Sequence, residues 1–147
     1  DWDRTNKLDK LKETDRYDAQ PWVQPQPLAR SRVAIVTTAG VHRKGDRPFT
    51  PGATDYRIIP GDTRAHELTM SHTSVNFDRT GFQEDVNVVL LVDRLNELAA
   101  SAAIGSVADV HYSFMGATRV RDLAASAREL AALLAADRVD AVLLSPV

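Results

Sequence analysis

Three short apolar runs along the chain are typical of buried β-strands. Residues 33–38 (VAIVTT), 107–114 (VADVHYSF) and 141–144 (AVLL) are rich in β-branched and aliphatic side chains, and a glycine closely follows each of the first two. Runs without strict polar alternation are favoured where both faces of a parallel sheet are covered. The pattern predicts three neighbouring parallel strands.

Two helices are predicted between these strands from apolar spacings of three and four. The first covers residues 94–103, with Asp93 as its N-cap and Gly105 after its end. The second covers residues 120–136. Its stripe is expected to face the sheet and consists of Val120, Leu123, Ala127, Leu130 and Leu134.

The amino end differs in character from the rest of the chain. Charge dominates residues 1–17, and three prolines in residues 20–27 exclude a helix there. We therefore expect an exposed arm and Pro-rich linker over residues 1–30, with Trp22 as an anchor.

Two further segments lie between the predicted strands and helices. Residues 42–60 are predicted to form a long loop with one edge strand at 56–59. Residues 86–90 are predicted to form either a short strand or an apolar approach to the next helix.

These elements predict an α/β fold with a three-layer, mostly parallel open sheet, Rossmann-like or flavodoxin-like, over residues 31–147. In such sheets the ligand site lies beyond the carboxyl ends of the strands. Residues 145–147 begin a loop of that kind, and the last strand has no following helix to cover it. We expect the domain to be incomplete at its carboxyl end.

Composition limits the classes of partner. The 147 residues carry a formal net charge of -2 with mixed signs, which disfavours nucleic acid and anionic membranes. No apolar run reaches the length of a membrane span, so we expect a cytoplasmic protein acting on a small molecule or a protein partner. The chain has no cysteine, so any thiol or selenol chemistry must come from elsewhere.

Four segments resemble one known family. Residues 72–83 (HTSVNFDRTGFQ), 93–95 (DRL), 111–118 (HYSFMGAT) and 139–147 (VDAVLLSPV) are similar to the selenoprotein B relatives of the glycine, sarcosine, betaine and D-proline reductases. The resemblance implies that a selenocysteine or cysteine follows the strand ending at Val147. It also implies reductive cleavage of a C–N bond in an amino-acid-like substrate, with a pyruvoyl group on a continuation or partner chain. No cofactor is expected within this chain.

The polar segment around residues 72–82 holds most candidate site residues. His72 and His111 are the catalytic candidates, because imidazole can donate, accept or shuttle a proton near neutral pH. The substrate-binding candidates are Ser74, Asn76, Asp78, Arg79 and Thr80. Each has a structural alternative: a histidine can satisfy backbone groups, Asp78 and Arg79 can form an internal salt bridge, and Ser, Asn and Thr often cap turns.

Other sites are not expected. Gly40 and Gly116 follow strands but belong to no nucleotide-binding pattern, and the histidines lack metal-ligand spacing, so we expect no metal. The alternative function is a non-catalytic subunit or binding module that pairs with a separate chain, and we expect an oligomer in either case. An end at Val147 has three explanations: translation stopping at a selenocysteine codon, a sequence that omits the remaining residues, or cleavage before a cysteine that becomes pyruvoyl.

Overall fold

The fold centres on an open, mostly parallel sheet. The computed structural model describes residues 23–147, so the predicted arm at residues 1–17 and the Trp22 anchor lie outside the described residues. The strands are β1 (Arg32–Thr37), β2 (Val41–Arg43), β3 (Arg57–Pro60), β4 (Leu68–Met70), β5 (Ser106–Val107), β6 (Val110–Ser113) and β7 (Ala141–Ser145). The helices are α1 (Thr80–Glu84), α2 (Val92–Ala100) and α3 (Ala124–Ala136).

Strand β1 lies in the middle of the sheet, and the three predicted strands are confirmed as neighbours. It pairs in parallel with β7 on one side, from Val33 opposite Ala141 to Thr37 opposite Ser145. On its other side it pairs in parallel with β5 and β6. Strand β3 adds to β6 in the antiparallel direction. The α/β class with a mostly parallel sheet is therefore confirmed, and β3 is the edge strand that the sequence predicts at residues 56–59, added in the antiparallel direction.

Two apolar clusters cover the two faces of the sheet. One joins Ile35 of β1 and Ile59 of β3 to Leu95 of α2. The other joins Tyr112 and the following Phe114 to Leu130 of α3. Because successive strand residues point to opposite faces, β1 contributes Ile35 to the first cluster and Val36 to the second.

Several element boundaries differ from the prediction. The run 107–114 is interrupted at residues 108 and 109, so it forms β5 and β6 instead of one strand. Residues 86–88 form a 3₁₀ turn and not a strand. Strands β2 and β4 form a small antiparallel pair that the sequence analysis missed, because each is only three residues long and their pairing is not visible locally.

The predicted helices shift as well. Helix α2 begins at Val92, and Asp93 lies in its first turn, where its N–H donates to the side-chain oxygen of Asn87 at 3.1 Å. Asp93 is therefore not the N-cap. The residues before Ala124 form a 3₁₀ turn, so only residues 124–136 are α-helical. Among the described residues, no helix is long and apolar enough to cross a bilayer.

Candidate active site at the carboxyl ends of the strands

The carboxyl ends of β1, β6 and β7 meet around Thr38. The Thr38 N–H donates to the Ser145 carbonyl at 3.1 Å, and the Gly116 N–H donates to the Thr38 carbonyl at 2.8 Å. The Val147 N–H donates to the Thr38 hydroxyl oxygen at 2.8 Å, and that oxygen lies 3.4 Å from the Val147 carbonyl. Thr38 thus fixes the chain at the point where it leaves β7.

Gly116 fills the space between these strands and His72. A Cβ at this position would lie 2.7 Å from the Thr38 carbonyl oxygen, 2.8 Å from the Val147 carbonyl oxygen and 3.1 Å from His72 Nε2. Only glycine permits this close approach of backbone to backbone. His72 Nε2 and the end of β7 therefore face the same small space.

His72 itself is buried and has a defined orientation. Only 5% of it is exposed, and its Nδ1 accepts the Ser74 N–H at 3.2 Å. Because Nδ1 accepts, the neutral ring carries its proton on Nε2. This Nε2 atom is buried and has no hydrogen-bond partner among the described residues. Burial, and secondarily the positive charge of Arg79, lower the pKa of His72 below its usual value.

Gly40 and Arg79 contact the backbone around His72, and Phe77 packs against its ring. Gly40 has a φ of +65°, and a Cβ at this position would lie 3.1 Å from the backbone nitrogen of His72. The Arg79 guanidinium donates from Nη2 to the His72 carbonyl at 2.5 Å and also contacts the Ser74 carbonyl at 3.4 Å. The Phe77 ring lies against the imidazole, with centroids 4.9 Å apart. Arg79 therefore positions the His72 segment directly.

The other substrate-binding candidates participate in the loop's own turns. The Ser74 hydroxyl accepts the Asn76 N–H at 3.3 Å, and an Asp78 carboxylate oxygen accepts the Thr80 N–H at 2.9 Å. The bond from Thr80 lowers the pKa of Asp78. Asn76, Asp78 and Thr80 are exposed at the surface. The Ser74 and Asp78 side chains therefore cap turns, and no salt bridge joins Asp78 to Arg79 among the described residues. Substrate binding by the candidate residues of this loop stays a prediction.

His111 lies within β6 and not at the carboxyl ends of the strands. Its pairing partner is Ile59, and it is fully buried. Val33 pairs with Val107, and Val36 pairs with Tyr112. The partner is therefore five residues further along in β5 and β6 where β1 advances by three residues. The two extra residues form a bulge in the sheet. At the bulge, His111 Nδ1 accepts the Ile35 N–H at 3.1 Å, which replaces a ladder bond. Burial lowers the pKa of His111 to about 4.

Sequence reasoning missed Thr38 as a site residue. The sequence shows only a threonine at the end of a buried strand. Threonine is also common at such positions when its role is only structural. The sequence around Gly116 indicates only a glycine after a strand, and it does not predict that this glycine lies beside His72. Among residues 23–147, no group of three or more His, Asp or Glu side chains lies close enough together to hold a metal ion.

Comparison with known proteins finds relatives that are named as subunits of reductases. The D-proline reductase subunit gamma of Acetoanaerobium sticklandii is 34% identical over 116 residues, which cover 77% of this chain and 47% of that protein. The glycine reductase complex component B subunit gamma of Carboxydothermus hydrogenoformans is 31% identical over 136 residues, covering 89% of this chain and 31% of that protein. The subunit of the same name from Symbiobacterium thermophilum is 33% identical over 138 residues, with the same coverage.

The chain thus spans from about a third to about half of the length of these relatives. No solved structure matches it. The family model described as glycine/sarcosine/betaine reductase selenoprotein B matches residues 7–147, which is nearly the whole sequence. The chain therefore belongs to the glycine/sarcosine/betaine reductase selenoprotein B family.

Proposed function

We propose that this chain is a component of a reductase that positions an amino-acid-like substrate for reductive cleavage of a C–N bond by a cysteine or selenocysteine after Val147. The observation that carries the proposal is the buried His72 Nε2 beside the end of β7. The relatives are named as subunits of glycine and D-proline reductases, which supports the class of reaction. A pyruvoyl group on a partner chain belongs to the same proposal.

The residues at the end of β7 fit an anionic sulfur or selenium atom. A thiolate or selenolate there would supply the electron pair that displaces nitrogen from the substrate carbon. The Thr38 hydroxyl holds Val147, so the next residue leaves β7 in a fixed direction. An unpartnered N–H at His72 Nε2 is suited to stabilise the anion by hydrogen bonding, which lowers the pKa of the nucleophile.

The protonation state of His72 separates its two candidate roles. Donation of a proton to the leaving nitrogen requires the imidazolium form. Burial and Arg79 both lower the pKa of His72, so the neutral ring with its proton on Nε2 dominates at neutral pH. We therefore favour the role in which His72 keeps the nucleophile ionised over the role of general acid.

Two substitutions at His72 in the complete reductase test this proposal. In His72→Gln the amide nitrogen can occupy the place of Nε2 and still donate, whereas His72→Leu removes the donor. We expect turnover to fall by about tenfold or less in the Gln variant and by about 10²-fold or more in the Leu variant. The pKa measured by alkylation of the nucleophile should rise in the Leu variant. Exposed His66→Gln is the control and should leave both values unchanged.

The results also discriminate between the roles. Equal, large losses in both His72 variants would indicate proton transfer by the imidazole. Wild-type turnover and alkylation in His72→Leu would refute a catalytic role for His72.

The alternative is a non-catalytic subunit or binding module that pairs with a separate chain. The relatives' designation as subunits of complexes favours keeping this alternative. The intact mass of the native protein decides between them. A species much heavier than 16.2 kDa supports a longer reductase chain, whereas a 16.2 kDa chain purifying with a partner that begins at Cys or pyruvoyl supports cleavage or assembly.

A further inference from the structure

Helix α3 buries less of its apolar stripe than the sequence predicts. Leu130 is 5% exposed, but Ala127 is exposed, and Val120, in the 3₁₀ turn before the helix, is 63% exposed. Beside α3, a groove of about 670 Å³ runs over the same face of the sheet towards β7. Its surface is largely aliphatic and includes side chains of Val36, Leu123, Leu134, Val142 and Leu144. The name α3–β7 groove refers to this surface.

Strand β7 has a free edge with none of the usual protection. It pairs only with β1 within residues 23–147. Its sequence, AVLLS, contains no charge and no proline, and Val142, Leu143 and Leu144 are 38%, 36% and 69% exposed. Successive side chains point to opposite faces, so β7 is apolar on both faces, as central strands of parallel sheets are.

The opposite edge of the sheet provides a comparison within the same molecule. Within residues 23–147, strand β3 pairs only with β6, and it carries Arg57 and Pro60. Charged residues and proline on an edge strand discourage further pairing. Strand β3 is therefore built as a terminal edge, and β7 is not.

We propose that the α3–β7 groove and the free edge of β7 bind a further strand and helix supplied by the remainder of the reductase polypeptide. The strand would pair in parallel with β7, and the helix would lie beside α3 over Val142 and Leu144. The relatives support this occupant, since more than half of each lies outside the match to this chain. The groove has little polar surface, so the inward face of the helix must be aliphatic.

The direction of the added strand separates this occupant from a second copy of the chain. A two-fold dimer through the same edge would pair β7 with its copy in the antiparallel direction. A continuation of the same polypeptide through a helix places its strand parallel to β7. This inference concerns assembly of the sheet and does not depend on the chemistry proposed for His72.

Cysteine labelling tests the proposal. Residues 1–147 contain no cysteine, so Leu144→Cys introduces a single thiol into this chain. Maleimide labelling of this thiol is measured in the 147-residue chain and in the polypeptide expressed from the uninterrupted coding region, with the modified peptide identified by mass spectrometry. We expect labelling to be at least about tenfold slower in the longer polypeptide, because a covered thiol reacts only after local opening.

Leu98→Cys is the matched control, because Leu98 is 43% exposed on α2, away from the groove. It should label at the same rate in both polypeptides. Equal labelling of Leu144→Cys in both would overturn the proposal, as would a coding region that ends at Val147. A second copy of the chain would be the occupant if three results occur together in the 147-residue chain: the thiol is protected, the protection rises with protein concentration, and a disulfide forms between two Leu144→Cys chains. That outcome would also overturn the proposal. Protection that requires a separately encoded subunit would also overturn it.

Discussion

Acid should destabilise this protein through His111. The imidazole is fully buried, its Nδ1 accepts the Ile35 N–H at 3.1 Å, and burial lowers its pKa from 6.5 to about 4. Between these two pH values the unfolded chain binds a proton that the native chain does not, so stability falls as the pH decreases. Above pH 6.5 the protonation of His111 does not change the free energy of unfolding. Below pH 4 the loss of stability caused by this protonation is complete.

The size of the effect follows from the two pKa values. Linkage gives a loss of about 2–3 kcal/mol between pH 7.5 and 4.5 from His111 alone. His72 acts in the same direction because its pKa is also lowered, so a variant is needed to isolate His111. The pKa of Asp55, in contrast, is lowered from 3.8, so its stabilisation is present above that value and is lost at lower pH, outside this range.

The assay is urea unfolding of the 147-residue chain at four pH values from 7.5 to 4.5. In His111→Asn the side-chain oxygen can take the place of Nδ1 as acceptor for the Ile35 N–H, but it does not titrate. The variant should be less stable at pH 7.5 because the smaller side chain leaves a cavity, yet its stability should depend less on pH. Exposed His66→Asn should retain the wild-type dependence. A difference between wild type and His111→Asn that stays constant from pH 7.5 to 4.5 would refute the reasoning.

Three further predictions concern the site and its completeness. Arg79→Gln should raise the pKa of His72 in an NMR titration, because it removes the positive charge that lowers it; an unchanged or lower pKa would contradict the contact. Gly116→Ala should cost about 1–3 kcal/mol in urea unfolding, since its Cβ would lie 2.7 Å from backbone, whereas Gly81→Ala, with 3.5 Å to the nearest side-chain atom, should be nearly neutral. Equal effects of the two glycine substitutions would argue against the close approach. The 147-residue chain alone should show no reductase turnover with metals and flavin excluded, because it has no thiol or selenol; turnover under those conditions would contradict the proposed role of a residue after Val147.

Local pattern was sufficient to identify the central strands and the class of fold. Buried parallel strands require continuous apolar, β-branched runs, and residues 33–38 and 141–144 have this composition whatever surrounds them. The resemblance of residues 72–83 and 111–118 to reductases was also visible in the sequence alone, and the family match agrees with it. Placing a site at the carboxyl ends of these strands also followed from the class of fold.

Tertiary structure decided what each candidate side chain contacts. His72 and His111 both lie in family-like motifs, but His72 is next to Gly116 and Val147, whereas His111 accepts the Ile35 N–H at a bulge in the sheet. The bulge depends on the register between β1 and its neighbours, which a local pattern does not encode. The role of Thr38 likewise depends on β7 lying beside β1, over 100 residues away in sequence.

The helical stripe of α3 shows the same division. Spacing alone determined that Ala127, Leu130 and Leu134 lie on one side of a helix, because 3.6 residues complete each turn. Whether that side is covered depends on which strands and helices lie opposite it. In residues 23–147 only Leu130 of the stripe is fully buried. The sequence by itself therefore determined the elements and their apolar faces, and only the tertiary structure decided which faces meet, because contacts between distant segments arise from strand order and register.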